Sequence, residues 1–573
     1  MSDSDGAGAP KSWLRRHVPV FDWAPSYRRQ WLTRDLLAAA TVWTVLVPTT
    51  LAYSEVAGVP VQYGLFAATI SLVAYAVFGS SRRMIVVPGA SLAVVTAAAV
   101  APVAAGRGQN TYVLLCMVLA IITGLLCMLA GIARLGFMER FLAKPVLDGF
   151  VMGLAVYIVV TQIDKLAGVT ADGGNAVLEV VDLFRKAGDW SLLTLGVGIA
   201  LLLVLVVSHR FAPGLPAALI VLMAATVISF AFRLSGHGVA IVGAIPKGMA
   251  GFSVAGLRLR DIVQLLPGAL AAIAVGFPES IAVAKAYASR HGEEIDANQE
   301  LIALGAANIG AGLLRGFPLD GSLGKTAVND QAGGRTQLVS VVCSALTALT
   351  FLFLAGLFKY LPQAALGAIV IYAVIYHVRI DQLVRYYRVK RSDFLLVIGS
   401  MLGVLVAGVL YGILIGVVLS VLAVIVRISR PHWAVLGRDE SGTRYGDIER
   451  RRDCSPVPGA LIFRFDAPLI FSNADVFFDT IVRLVESAHQ PLKTVIVDME
   501  MVHEMDTTAT EMLSELYTFL SARQLNLVLA RVHAPLRDYL RKDGSIQLIG
   551  EENVFLTVRD AVAAYQERQA GPS

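Results

Sequence analysis

The stretch GFPESIAVAKAYASRHGEEIDANQELIALGAANIGAGLLRGFPLDGSLGKTAVNDQAGGRTQL, residues 276–338, decides how the chain is read. Long apolar runs flank it, yet it holds Glu279, Lys285, Asp320, Ser322 and Lys325 among apolar neighbours. Charge at membrane depth is costly, so an ionisable residue kept there marks a functional site. Pro278, Pro318 and the glycines Gly316, Gly321 and Gly324 are expected to interrupt helices. Secondary transporters build midplane substrate sites from helices broken in this way. The stretch therefore reads as half of a transport site for a small anion.

The other half is expected earlier, because such sites arise from internal repeats. Pro48-Thr49-Thr50-Leu51-Ala52 matches Pro278-Glu279-Ser280-Ile281-Ala282 in its punctuation. Pro88-Gly89-Ala90-Ser91 stands against Pro318 and Gly321-Ser322-Leu323. Both prolines are displaced by the same 230 residues. One offset at two breaks favours a repeat over two short coincidences.

Composition agrees. The chain has 573 residues, 56% of them hydrophobic and 16% charged, with a mean hydropathy of +0.67. That is too apolar for a soluble protein of this size. The net charge of +5 makes no case for nucleic acid, because Lys and Arg gather at loop ends. Cys116, Cys127, Cys343 and Cys454 lack metal-ligand spacing and read as packing residues. The chain shows no phosphate loop, zinc spacing or nucleophile elbow, so neither cofactor, metal nor enzymatic chemistry is expected.

Residues 1–34 are basic, lack a signal-peptide core and read as a cytoplasmic tail. Apolar segments long enough to span about 30 Å of hydrocarbon follow near 36–56, 63–79, 111–133, 146–163, 190–208, 215–232 and 263–285. Others lie near 298–314, 336–356, 362–378, 393–410 and 412–427. Shorter segments near 89–104 and 320–332 read as half-helices after extended chain. The expected membrane domain, 35–428, thus has about fourteen elements, seven in each half. Basic joints at Arg82-Arg83, Arg134/Arg140/Lys144, His209-Arg210, Lys285/Arg290, Arg335, 379–391 and Arg427/Arg430 put both its ends in the cytoplasm. Lys165, Lys247 and several arginines in longer loops are exceptions, and His377 reads as an ordinary interfacial residue.

Residues 429–456 are polar and charged, as a linker would be. From 457 to 568 strand and helix patterns alternate, which predicts a small α/β domain; 569–573 is a short tail.

The motifs LAYSEVAGVPVQYGLF (51–66), ESIAVAKAYASRHGEEIDANQELIALGAANIGAG (279–312) and GFPLDGSLGKTAVNDQAGGRTQL (316–338) resemble the sulfate permease (SulP) family. VPGALIFRFDAPLIFSNAD (457–475) and VIVDMEMVHEMDTTATEML (495–513) resemble the STAS domain that ends most of its members. The resemblance implies an all-α membrane domain of two intertwined seven-span inverted repeats, split into core and gate, with a cytoplasmic α/β domain. It also implies a homodimer in the plasma membrane that moves a small anion by an elevator-like motion.

On that fold the half-helices beginning near Gly89-Ala90-Ser91 and Gly321-Ser322-Leu323-Gly324 would aim their N-termini at one anion, which such termini attract. Thr49, Tyr53, Ser280 and Lys325 complete the expected substrate site, with Phe66 a further candidate for its wall. Lys325 either adds a positive charge or neutralises Asp320. The family often has a serine where this chain has Gly324, which leaves the substrate open. Glu279 is the proton-coupling candidate, since apolar surroundings favour a carboxyl's neutral form; a structural pair with Lys285 competes with that role. Thr49 stands where the family commonly has a titratable or amide residue, so coupling would rest on Glu279.

Asn298-Gln299-Glu300 and Asn329-Asp330-Gln331 are expected as caps and core–gate contacts. In the STAS-like domain Thr507 and Thr508 occupy a turn where related domains carry a phosphorylatable hydroxyl. Thr508 with Glu511 also fits a helix-capping box. The expected cargo is a small oxyanion with sulfate favoured, carried with a proton. Bicarbonate, a dicarboxylate, or an uncoupled exchanger or channel are the alternatives. Nucleobase permeases share the membrane fold but normally lack the C-terminal domain.

Overall fold

In the computed structural model, residues 18–137, 143–170, 175–212, 216–243, 256–375 and 378–570 are described. Residues 1–17 of the basic tail, Arg140, Lys247, His377 and residues 571–573 lie outside them. The chain divides into two units, Met1–Ser420 and Val421–Ser573.

The first half of the membrane unit contains α1 (Leu32–Val56), α2 (Val61–Phe78), β1 (Val86–Val87), α3 (Ala90–Ala104), α4 (Gln109–Ile132) and α5 (Lys144–Ala167). It continues with the short α6 (Ala176–Arg185), then α7 (Leu192–Phe211) and α8 (Ala217–Ala231). The second half repeats the plan: α9 (Leu259–His291), α10 (Ala297–Leu313), β2 (Asp320–Gly321), α11 (Leu323–Gln331), α12 (Leu338–Phe358) and α13 (Gln363–Ile375). The amphipathic α14 (Ile380–Val389), α15 (Arg391–Ala407) and α16 (Val409–Ser429) close it. Among the described residues, seven helices are long and apolar enough to cross a membrane, and four shorter apolar helices accompany them.

Local chemistry explains several ends. Pro145 sits in the first turn of α5, where a missing N–H costs nothing, and Gly168 ends that helix with φ 72°. The Asp296 carboxylate caps α10 by accepting from the Asn298 and Gln299 amides at 2.9 and 3.3 Å. One expectation is corrected: Pro48 and Pro278 lie inside the continuous helices α1 and α9 and do not end them. Packed neighbours in a bundle can re-satisfy the backbone groups that proline frees. The true breaks are at β1 and β2.

β1 and β2 pair antiparallel, Val86 opposite Gly321 and Val87 opposite Asp320. This short ribbon ties the two halves together and sends α3 and α11 off from one place. Helix packing forms two groups. The first is α1–α4 with α9–α12, and the second includes α5, α7, α13 and α15. α13 and α8 also pack on α1, so the groups meet there.

The second unit is a sheet in the order β4-β3-β6-β7-β8-β9, with β5 pairing β3. Its strands are β3 (Trp433–Asp439), β4 (Tyr445–Asp447), β5 (Cys454–Ser455), β6 (Ala460–Phe465), β7 (Thr494–Asp498), β8 (Asn526–Ala530) and β9 (Val554–Phe555). β6 to β9 run parallel, while β3 is antiparallel to β6. The helices are α17 (Ala474–Glu486), α18 (Thr507–Ser521), α19 (Ala534–Asp543), α20 (Ser545–Ile549) and α21 (Val558–Ala570). The linker expected at 429–456 is corrected. Those residues supply β3, β4 and β5, because Trp433 stacks on Phe463 and Leu436 is buried in the sheet.

Candidate functional site

The ribbon at the centre of the membrane unit exposes backbone groups that need partners away from water. Side chains from four helices supply them. Ser71 Oγ donates to the Val86 carbonyl at 3.0 Å, and the Ile85 amide donates to Thr326 Oγ1 at 3.0 Å. Asn308 closes a two-bond clamp on Leu319, each bond 3.0 Å. Ser280 Oγ accepts from the Gly321 amide at 2.8 Å. Asn329 Nδ2 donates to the Arg83 carbonyl at 2.7 Å. Held in this way, the ribbon fixes where α3 and α11 start.

The first turns of both half-helices line one cavity of about 390 Å³. Gly89, Ala90, Ser91, Ser322, Leu323, Gly324 and Lys325 come from these turns, Thr49 and Tyr53 from α1, and Glu279 from α9. These ten sequence-predicted residues therefore meet. Ser280 and Gly321 do not line it. Ser280 is fully buried behind the ribbon, donating to the Gly276 carbonyl as well as accepting from Gly321. Its role is to hold the ribbon. Phe66 packs against Phe351, ring centroids 4.4 Å apart, and also lies off the wall.

Within the cavity Ser322 caps α11, its Oγ 3.4 Å from the Lys325 amide. The buried Lys325 places its Nζ 5.2 Å from the centre of the buried Tyr53 ring, a cation–π contact. Thr49 spends its hydroxyl hydrogen on the Val45 and Leu46 carbonyls of its own helix, at 2.8 and 3.1 Å. It offers the cavity a methyl and a lone pair. Ser91 Oγ donates to Glu279 Oε2 at 3.0 Å, so the coupling candidate touches the first turn of α3.

Three features escaped the sequence. Asp320, named above among the ionisable residues of the stretch but given no part in the site beyond a counter-charge, lines the cavity 3.3 Å from Ser91 Oγ. Val151, Leu154, Ala155 and Ile158 of α5, with Ile369 and Tyr372 of α13, form the apolar wall opposite. No local motif marks them, because they are ordinary span residues. Glu300 is no cap: it is fully buried and accepts from Tyr75, Ser80 and the Ser81 amide. Asp330 pairs with Arg83 and His291 at 3.4 and 2.7 Å.

In the second unit, Asp506 caps α18 by accepting from the Ala509 amide at 2.9 Å, and it also accepts from the Phe471 amide at 2.7 Å. The expected Thr508 cap is thereby corrected: Thr508 is already the second residue of the helix, and Asp506, just before it, is the one whose side chain reaches the free N–H groups. Thr507 and Thr508 are exposed on the first turn.

Residues 32–400 match the model of the sulfate permease family, and residues 453–561 match the STAS domain. A protein named "Probable sulfate transporter Rv1739c" from Mycobacterium tuberculosis is 36% identical over 552 residues, covering 95% of this chain and 98% of its own. "Sulfate transporter 4.1, chloroplastic" from Arabidopsis thaliana is 31% identical, with 96% and 82% covered. In fold, the chain is similar to the murine Solute Carrier 26 family member A9 anion transporter in the inward-facing state (TM-score 0.88, 22% identity, 99% and 96% covered). The transmembrane domain of a cyanobacterium bicarbonate transporter also aligns, with a TM-score of 0.61 at 22% identity over 69% of this chain and 98% of that one. The chain belongs to the sulfate permease family: it is a multi-pass membrane transporter of anions with a C-terminal STAS domain, and not an enzyme.

Proposed function

We propose that the protein carries a small oxyanion, sulfate in the first place, together with a proton. The observation that carries this is Glu279 in the cavity wall, hydrogen-bonded to Ser91 on the first turn of α3. An anion at the two helix N-termini and Lys325 gains positive potential. A proton on Glu279 removes the negative charge that would oppose it there. Sulfate as cargo is supported by the names of the relatives at 31–36% identity. Transport then moves the group α1–α4 and α9–α12 as a body against the remaining helices. Its lever is the site itself, built wholly on that group except for the apolar wall of α5, α8 and α13. We take the working unit to be a homodimer in the plasma membrane, with the N-terminal segment and the STAS domain in the cytoplasm as the placing of Lys and Arg supports.

The test is uptake into proteoliposomes of labelled sulfate, bicarbonate and succinate, with and without an inward proton gradient. Wild type is expected to show gradient-stimulated sulfate uptake. Glu279→Gln is expected to lose the stimulation while still binding sulfate. Uptake indifferent to the gradient in both proteins would rule out the coupling; stimulation of bicarbonate or succinate alone would reassign the cargo.

A further inference from the structure

We infer that Asp320 is a second proton-binding group of the transport site, so that a divalent oxyanion enters with two protons. This rests on the proton-coupled reading above and deepens it.

Asp320 is 2% exposed, in β2, at the point where the ribbon hands over to α11. Its carboxyl lies against the first turn of α3. A Cβ on Gly89 would stand 2.4 Å from Asp320 Oδ1, so the glycine lets the acid lie against the start of α3 and a larger residue would push the carboxyl aside. Ser91 Oγ is 3.3 Å from Asp320 Oδ2 and 3.0 Å from Glu279 Oε2. A serine hydroxyl has one hydrogen to give. Two full bonds form when one of the two carboxyls carries a proton and donates it to Ser91; with both ionised, one hydrogen is shared between two like charges. The geometry is that of two acids sharing a hydroxyl.

Charge points the same way. Among the described residues the charged groups acting on Asp320 are Glu279 of α9 and Lys325 of α11. The phenol of Tyr53 on α1 faces the two acids, and the thiol of Cys343 on α12 lies beside Lys325. Neither is charged at neutral pH. With both acids ionised, an arriving dianion would meet two negative charges and one positive on largely buried side chains, which is strongly opposed. With both protonated it meets Lys325 and two helix N-termini. As a carboxylate, Asp320 also occupies the positive end of α3 that the anion needs. Protonation removes that negative charge from the end of α3, which orders the events: protons first, then the anion.

If Asp320 served only as the counter-charge of Lys325, it would keep its charge throughout the cycle and add nothing to the proton count. The measurement is proton influx against labelled sulfate influx in proteoliposomes of the full chain, using an entrapped pH dye. Two protons per sulfate are expected for wild type and one for Asp320→Asn. One per sulfate in wild type, or an unchanged ratio in Asp320→Asn, overturns the second proton site and leaves coupling through Glu279 standing. A second measurement needs no variant: protons taken up when sulfate is added to weakly buffered wild-type protein in detergent. Two per bound sulfate are expected, and one overturns the inference. No proton movement in either assay overturns it together with the coupling itself.

Discussion

The phenol of Tyr75 donates to the carboxylate of Glu300 at 2.9 Å to one oxygen and 3.0 Å to the other, joining α2 to α10 across 225 residues of sequence. Glu300 Oε1 also accepts from the Ser80 amide at 2.9 Å, the Ser80 hydroxyl at 2.6 Å and the Ser81 amide at 3.2 Å. This acid therefore organises the 79–81 loop that leads into β1. Glu300→Ala would leave several buried donors unmet, each costing about 1–3 kcal/mol. A large fall in the unfolding temperature of detergent-purified protein is expected, and a smaller one for Glu300→Gln, which keeps an acceptor. Equal stability of all three proteins would contradict this role.

Gly89 and Gly324 both line the cavity, but only the first is crowded. A Cβ at Gly89 would sit 2.4 Å from Asp320, whereas one at Gly324 meets nothing within 4 Å. Gly89→Ala is expected to abolish uptake or folding, and Gly324→Ala to leave both near wild type. Gly324→Ser adds a hydroxyl to the first turn of α11 and is expected to tighten oxyanion binding, measured as the Kd for labelled sulfate.

Lys325 supplies the positive side chain of the cavity wall. Lys325→Gln is expected to weaken sulfate binding by tenfold or more, equivalent to ~1.4 kcal/mol. Tyr53→Leu keeps the charge and removes a cation–π contact worth about 0.5–2 kcal/mol, so a smaller loss is expected. A Tyr53→Leu effect larger than that of Lys325→Gln would make the ring, and not the charge, the main determinant.

In the STAS domain, burial pushes the Asp466 carboxyl up, but Arg464 and His432 outweigh it and hold the acid below the usual carboxylate range. Arg464 donates to it at 2.6 and 3.2 Å, and His432 Nδ1 lies 2.9 Å away. A folded-state value below the unfolded one adds stability above the ordinary carboxylate range, and that stability fades as pH falls through the lowered value. The protection factors of the β3 and β6 amides, corrected for the pH dependence of intrinsic exchange, are thus expected to fall as pH drops below about 4 in wild type. Asp466→Asn should exchange faster at neutral pH and lose that acid response.

Much of the molecule is determined by local sequence. Apolar runs of span length set the helices, because a backbone in hydrocarbon must bond to itself. Gly89, Gly321 and Ser322 mark the half-helix starts through the absence of a side chain or through a capping hydroxyl, and ten of the residues singled out there do line one cavity. The polar run 429–456 misled because composition cannot tell a linker from short strands, one of whose partners, β6, lies further on. Pro278 misled because a proline ends an isolated helix but not one whose neighbours stabilise it.

What the tertiary structure alone decided is the partnership of groups far apart in the chain. Ser91 stands 188 residues from Glu279 and 229 from Asp320, yet its hydroxyl lies between them. Ser280 and Glu279 are adjacent, and the helix turns one into the cavity and the other behind the ribbon. Periodicity and helix breakers act over a few residues, so they can be read along a line. Which acid shares which hydroxyl depends on how whole helices pack, and only the folded chain brings those atoms together.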